Sequence, residues 1–441
     1  MNCALGTSFH RQRLVLSGIA TEEVRGEEAF ANLTKLVPVS KTSIRTVFPQ
    51  GVVTKDRNGN RTYRSTSGTT DDRLTIVADF TSRDVGRATM LYGLEIATNR
   101  SIGLSLIDIP PNACNTVCGL DGPPETSILR HIKKGIRSKS IGSDKFRSDL
   151  NGLFERRLLF RQDILPPLDG RSSSELTQQL AKAWRDIEAY PSVLLRAFPQ
   201  YLLWLAEYRS TQSKSQTPIE YVSPYGGLAS ASLLNRVRSL LGVASRNMYG
   251  TSELGPIASA CDSHTPMHLF DQYREVEIIR GRDSVEDGQC GEIVVTDLSN
   301  KALPLIRYRV GDVGRIFRGK CQCGRVTPRL EVLGRVHETI IQGDRWTTAS
   351  EIAEIAYSDP GVGNFRLDEI QKNHYEIQVV PSLTGCQPDI ESLKDRLREV
   401  IGEPVRLTHR LLPFITPEAN GKFLTCRLRP TALSQSLKQP L

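Results

Sequence analysis

The stretch Met248-Tyr249-Gly250-Thr251-Ser252-Glu253 decides how the rest of the chain is read. An aromatic ring, a glycine, two hydroxyls and a carboxylate follow the apolar segment Ser239–Val243. In a tight turn this set offers a flat face for a base, hydroxyls for phosphate and an acid for Mg²⁺. Alone, the stretch reads more readily as an ordinary surface turn. Three further stretches change that balance. Ser65-Thr66-Ser67-Gly68-Thr69-Thr70 lies upstream, Tyr308-Arg309-Val310-Gly311-Asp312 and Gly334-Arg335 lie downstream, and Asn420-Gly421-Lys422 stands near the end. In the first of these, glycine lets backbone approach phosphate, and hydroxyls and amides donate to its oxygens. It is not a Walker loop, because the GxxxxGK[ST] spacing is absent.

The 441 residues are 39% hydrophobic and 24% charged, enough for two or three domains with a sizeable core. A net charge of +8 suits anionic ligands without choosing among nucleotides, CoA and nucleic acid. No nucleic-acid motif is visible, so nucleic acid is not expected as a partner. The start of the chain has no basic segment followed by an apolar one, and no uncharged apolar run is long enough to span a membrane. A cytoplasmic protein with no membrane partner is therefore expected, as a monomer or homodimer. Nine cysteines without a secretory context predict reduced thiols, with a metal site open.

Periodicity places helices over Arg83–Asn99, Leu176–Ala189, Ser192–Tyr208 and Ala231–Leu241. Strands are predicted at Thr62–Arg64, Ser101–Ile109, Ile219–Ser223, Glu275–Ile279, Gly291–Thr296 and Leu303–Tyr308. Asp56–Asn60 reads as a hairpin turn. Beyond Arg335 a small α/β unit is expected: strand Glu338–Ile341, helix Ala349–Tyr357, strand Tyr375–Val380, helix Asp389–Ile401. Residues from Thr431 onward are polar and expected to be loose. Cys114 and Cys118 read as buried small residues. The basic run His131–Lys139 reads as a solvated face.

The order and spacing of the four motifs resemble the adenylate-forming enzymes, and the text around them is most similar to the phenylacetate–CoA ligase branch. Leu36-Val37-Pro38-Val39-Ser40-Lys41 resembles the segment that leads into that branch's first nucleotide loop. The resemblance runs from about Leu36 to Arg427. It implies an α/β fold with a large N-terminal multi-sheet domain (1–335), a small mobile C-terminal α+β domain (336–430) and a tail (431–441). It also implies ATP-dependent activation of a small, aryl or other carboxylic acid to acyl-AMP, then transfer to CoA. On that reading Ser67, Gly68, Thr69 and Thr70 hold the ATP phosphates, and Gly226 and Gly227 form the adenine and acyl turn. Tyr249 stacks on adenine within Tyr249-Gly250-Thr251. Ser252, with Thr251, bonds the α-phosphate, and Glu253 holds Mg²⁺. Asp312 takes the ribose hydroxyls beside Arg335. Lys422 bridges the carboxylate and α-phosphate oxygens.

Several positions depart from the family pattern. Asp71, Asp72 and Arg73 stand where Gly and Lys usually follow the loop. Leu228 replaces an acid, and His337 replaces the hinge Asp or Lys. Trp346-Thr347-Thr348-Ala349 stands in place of an aromatic-Pro pair beyond Gly343, the tunnel glycine. These leave two alternatives open: transfer to an amine or a carrier-protein thiol, and a non-catalytic nucleotide-binding relative. The Cys321-x-Cys323 turn, with Cys261 and His268, supplies three thiolates and an imidazole, the ligand set of a closed structural zinc site. Some relatives in this branch look similar there, and His264 competes as the imidazole.

Overall fold

Val193-Leu194-Leu195-Arg196-Ala197 is a strand at the centre of a parallel sheet, and Pro199–Thr211 is the helix that follows it. The single helix expected over Ser192–Tyr208 is thus two elements. A continuous apolar run does not distinguish a strand buried on both faces from a buried helix. Pro199 supplies the break, since proline suits the first helical position. The computed structural model describes residues 2–24, 32–55, 61–66, 73–98, 104–111, 128–138, 141, 143–154, 161–169, 172–212, 217–261, 266–402 and 404–436. The expected turn at 56–60, residues 67–72 of the hydroxyl loop, Cys114, Cys118 and His264 lie outside them.

The parallel sheet orders its strands Arg161–Ile164, Ser105–Ile109, Val193–Ala197, Ile219–Pro224 and Ala244–Ser245. The chain leaves Ser105–Ile109 toward one side and returns to its other side. That reversal opens a crevice at the carboxyl ends of the two central strands. Asp108 and Arg196 stand there as register partners and form a bidentate ion pair of 2.6 and 2.8 Å.

A second sheet has eight strands, with Met248–Thr251 at one edge and Tyr308–Phe317 four places inward. In a flat sheet those two strands would lie about 19 Å apart. The Tyr249 hydroxyl instead donates to Asp312 Oδ2 at 2.6 Å, so the sheet curls until they meet. Leu303–Tyr308, predicted as a strand, is a buried irregular connection up to Arg307. Pro304 offers no N–H, and Arg307 takes φ +47°, which breaks a ladder. Side chains satisfy this segment instead. His10 Nε2 meets the Pro304 carbonyl at 2.9 Å, and Arg307 donates to the carbonyls of Leu36 (2.6 Å) and Thr34.

The C-terminal part forms a four-stranded sheet ordered Arg406–Leu411, His374–Pro381, Val362–Gln371 and Cys426–Arg427. Helices Ala349–Ser358 and Ile390–Ile401 agree with the expected ones, and Asp389 caps the second. The strands Val362–Gln371, Arg406–Leu411 and Cys426–Arg427 carry no clear signal in the sequence pattern. Glu338–Ile341, expected as one strand, divides into a 3₁₀ turn, Val336–Glu338, and a short strand, Ile340–Gln342.

The apolar core of this part is continuous with that of the parallel sheet. One buried cluster includes Tyr201 and Trp204 from the first part and Ile352, Phe365 and Leu397 from the second. A polar clasp accompanies it. Arg236 pairs with the fully buried Glu207 and also donates to the Val362 carbonyl (2.7 Å), the Pro360 carbonyl (2.6 Å) and Ser382 Oγ (2.9 Å). Glu207 accepts the Leu383 N–H at 3.0 Å. Burial pushes the Glu207 carboxyl up, and Arg236 and the hydrogen bonds oppose that shift. Removing one partner leaves the other charge buried. We therefore expect Arg236→Ala to cost about 3–5 kcal/mol in urea unfolding, more than a double Glu207→Gln, Arg236→Met variant. Equal stability of wild type and Arg236→Ala would show that the clasp contributes nothing.

Candidate active site

The expected site residues come from four separate elements. Met248–Thr251 is a strand rather than a turn, and Ser252–Leu254 form the turn into the next strand, Gly255–Ser259. Gly250 is required there, since a Cβ would lie 2.6 Å from the Gly255 carbonyl oxygen. Thr251 Oγ1 accepts the Leu254 N–H at 3.2 Å and closes the turn that carries Ser252 and Glu253.

Asp312 and Arg335 are register partners on adjacent antiparallel strands, and their side chains pair at 3.0 Å. Asp312 is 4% exposed. Burial pushes its carboxyl up, while Arg335, the Tyr249 hydroxyl and Lys422 hold it down. Tyr249 and Tyr308 are both shifted well upward, chiefly by burial, so both hydroxyls remain donors. The Tyr308 hydroxyl donates to Glu253 Oε1 at 3.3 Å. Gly334 takes φ +128° and lies against Ala349, where a Cβ would approach the alanine Cβ to 2.7 Å. The strand end that presents Arg335 is therefore fitted to the following helix.

Lys422 sits in a tight turn. The Glu418 N–H donates to its carbonyl at 2.8 Å, its own N–H donates to Asn420 Oδ1 at 3.1 Å, and Gly421 has φ +76°. Its ammonium acts electrostatically on Asp312, which brings the last motif to the same place as the middle two. Gly226 and Gly227 are exposed in the turn after Ile219–Pro224. Arg335 and His337 are exposed, as is Gly343. Ser67, Gly68, Thr69 and Thr70 are outside the described residues, but the base of their loop is visible. Thr66 Oγ1 accepts the Leu74 N–H at 2.9 Å, and the Thr66 N–H donates to the Leu74 carbonyl at 3.0 Å.

The motifs alone do not single out Lys41 as a site residue. Its ammonium donates to Thr66 Oγ1 at 2.9 Å and lies 3.6 Å from Glu253 Oε1. The signal lies in the segment Leu36–Lys41, whose Val39 bridges to Tyr308 and so brings Lys41 to the site.

Cys261, His268, Cys321 and Cys323 also converge, with all four ligand atoms within 4.8 Å of one another. Cys261 Sγ and Cys321 Sγ are 3.8 Å apart, and Cys323 Sγ and His268 Nε2 are 3.3 Å apart. A tetrahedron with Zn–S of about 2.3 Å and Zn–N of about 2.05 Å has S···S and S···N edges of about 3.8 and 3.6 Å. The donor set and its spacing thus fit a four-coordinate metal. With its proton on Nδ1, His268 donates to Thr327 Oγ1 at 2.9 Å and turns the Nε2 lone pair toward the sulfurs. Burial, with Arg325 and Arg329, lowers the tendency of His268 to protonate.

The curled eight-stranded sheet, the parallel sheet and the C-terminal α/β unit together carry Glu253, Asp312, Arg335 and Lys422. No established family signature matches the chain. The phenylacetate–coenzyme A ligase of Thermus thermophilus is 23% identical over 352 residues, 76% of this chain and 67% of that protein. That of Escherichia coli (strain K12) is 33% identical over 106 residues, 23% of this chain and 24% of that protein. Among solved structures, 2-hydroxyisobutyryl-CoA ligase in the postadenylation state superposes with a TM-score of 0.68 at 17% identity, covering 99% of this chain and 89% of its own. An amide bond synthetase from Marinactinospora thermotolerans superposes at 0.56 and 17% identity, covering 85% of this chain and 69% of its own. The chain thus has the fold of these acyl-adenylate-forming ligases and is similar in sequence to phenylacetate–coenzyme A ligases.

One carboxyl beside this site has no role in the motif pattern. Glu338 is 5% exposed, and burial raises its pKa from 4.5 to about 7. Between these values the native state keeps a proton that the unfolded chain has lost. Stability from this group is therefore greatest in acid and declines as pH rises toward 7. Relative to Glu338→Gln, wild type should lose stability from pH ~5 to pH ~8 in denaturant titrations. A pH-independent difference would contradict the raised value.

Proposed function

We propose that this chain is an AMP-forming acid–CoA ligase with a structural zinc. A carboxylate oxygen attacks the α-phosphorus of ATP and pyrophosphate leaves. The thiol of CoA then attacks the acyl carbon and AMP leaves. The observation that carries this reading is the convergence of Glu253, Tyr249, Asp312, Arg335 and Lys422 from distant parts of the sequence onto one place.

The first step concentrates negative charge, so its catalysis is positioning plus electrostatics. Lys422, a compact cation on a flexible stem, sits between the incoming carboxylate and the α-phosphate. Asp312, whose charged form Arg335 and Lys422 favour against burial, accepts from the ribose hydroxyls, and Arg335 lies alongside. Tyr249 presents its ring to adenine, while its hydroxyl remains on Asp312. Ser252 and Thr251 bond the α-phosphate. Glu253 is the carboxylate available to Mg²⁺, whose chemistry is to neutralise the phosphate oxygens, and Lys41 adds a fixed cation beside it. Ser67, Gly68, Thr69 and Thr70 extend the phosphate grip, and Gly226 and Gly227 border the acyl group. The small C-terminal domain moves between the two steps around His337.

The test is pyrophosphate release with a panel of small aryl and aliphatic acids, with mass detection of acyl-AMP, followed by addition of CoA or hydroxylamine. Acyl-AMP and a CoA thioester are expected. ATP binding without pyrophosphate release for any acid would overturn catalysis. Lys422→Ala should lower acyl-AMP formation by orders of magnitude while thioester formation from supplied acyl-AMP survives. Equal loss in both half-reactions would assign Lys422 to folding.

Cys261, His268, Cys321 and Cys323 hold the zinc. With four protein ligands it has no open position for chemistry. Its place is mechanical, since it ties the segment after the Glu253 turn to the Cys321–Cys323 turn that follows the Asp312 strand. Elemental analysis should find about one zinc per chain. Cys321→Ser with Cys323→Ser should lower both metal content and melting temperature. Metal-free wild type of equal stability would end this assignment.

A further inference from the structure

Glu338 joins two parts of the site that the roles above treat separately. It closes the 3₁₀ turn Val336–Glu338, directly after Arg335. Its Oε1 accepts the backbone N–H groups of Thr425, at 2.7 Å, and Cys426, at 3.3 Å. Cys426 begins the strand that follows the Lys422 turn, and Thr425 immediately precedes it. The same strand is held on its other side by Val362–Gln371, with Leu367 opposite Cys426 and the Leu367 N–H on the Thr425 carbonyl at 3.0 Å. Only Phe423 and Leu424 separate Lys422 from Thr425.

The Lys422 turn is internally closed by its own hydrogen bonds, so it moves as a unit whose placement depends on its ends. Phe423 holds one side by ring contacts with Phe198, Trp204 and Phe414. Glu338 holds the other. Arg335 and Asp312 both act electrostatically on Glu338, and Lys422 acts on Asp312, so these four side chains form one connected group.

We propose that Glu338 is a positioning residue for acyl-adenylate formation. Its carboxyl oxygen fastens the strand after Lys422 to the turn after Arg335, and thereby fixes where the Lys422 ammonium stands relative to Asp312. The inference rests on the reading of Lys422 as the lysine of the first half-reaction. It adds that the turn after Arg335 and the Lys422 loop move as one body. Glu338 touches neither reactant and acts through the backbone of Thr425 and Cys426.

Two variants of the full chain separate positioning from general stability. Glu338→Gln keeps an oxygen at Oε1 that can accept both N–H groups, and Glu338→Ala removes it. Hydrogen exchange read by mass spectrometry on peptides spanning 418–427 should be faster in Glu338→Ala and near wild type in Glu338→Gln. A misplacement near 1 Å at a reacting group costs about 100-fold, so pyrophosphate release in Glu338→Ala should fall by about 10- to 100-fold. It should be rescued in Glu338→Gln. Thioester formation from supplied acyl-AMP and CoA should be unchanged in both.

Exchange in Glu338→Ala matching wild type would overturn the tether. Faster exchange with unchanged pyrophosphate release would overturn its role in positioning Lys422. Equal loss in both half-reactions, unrescued by glutamine, would reduce Glu338 to a folding residue. Wild type that releases no pyrophosphate with any acid of the panel would instead overturn the ligase reading itself, and this inference with it. In that case the exchange data still decide whether the tether exists.

Discussion

The rest of the site depends on a buried carboxyl group, Asp312, and on the partners that oppose its neutralisation. Asp312 lies in the curled sheet with almost no solvent, where an isolated charge would be neutralised by taking up a proton. Arg335, opposite it in register, and the Tyr249 hydroxyl from a strand four places away oppose that tendency. The sheet must curl for Tyr249 to arrive, and Gly250 must lack a side chain for the hairpin behind it to close. Glu253 repeats the pattern nearby, with Tyr308 donating and Lys41 as its cation. Two acid–tyrosine pairs, each with a cation, thus set the electrostatics of the centre.

Stiffness is placed around that centre at three points. The Cys261, His268, Cys321 and Cys323 cluster joins segments adjacent to the Glu253 hairpin and the Asp312 strand. Arg307 and Val39 fasten the segment before Lys41 to the start of that same strand. The C-terminal part meets the parallel sheet through a continuous apolar core and the Glu207–Arg236 clasp. A domain rotation in the reaction cycle would have to part this clasp, and the carbonyls of Pro360 and Val362 would then need water or new donors. If the proposed rotation occurs, the two arrangements must be close in energy despite a buried ion pair in one of them.

Much of this is legible in the sequence because the informative motifs are short and local. Helix Ala231–Leu241 reads to the residue, and the four-ligand cluster is legible from its cysteine and histidine types together with the resemblance to relatives, which leaves His264 as a competing imidazole. The failures share a cause. Val193–Ala197 merges into a helix on paper because burial on both faces erases the alternation that marks a strand. Leu303–Arg307 passes for a strand because apolarity reports burial, whereas Pro304 and the left-handed Arg307 decide the backbone. Lys41 and Glu338 escape notice for a different reason. A lone lysine or glutamate carries no signature, and its importance arises only when folding places it against a partner far away in sequence: Glu253 for the first, Thr425 for the second.

On the proposed function, a carboxylate oxygen becomes bonded to the α-phosphorus of ATP at this site. The most direct test is to supply the substrate acid with its carboxylate labelled by a heavy oxygen isotope and to follow the label by mass spectrometry through complete turnover with CoA. Attack on the α-phosphorus, followed by thiol attack on the acyl carbon, leaves one labelled oxygen on the phosphate of AMP. Label in inorganic phosphate with ADP as product, or unlabelled AMP, would contradict the account.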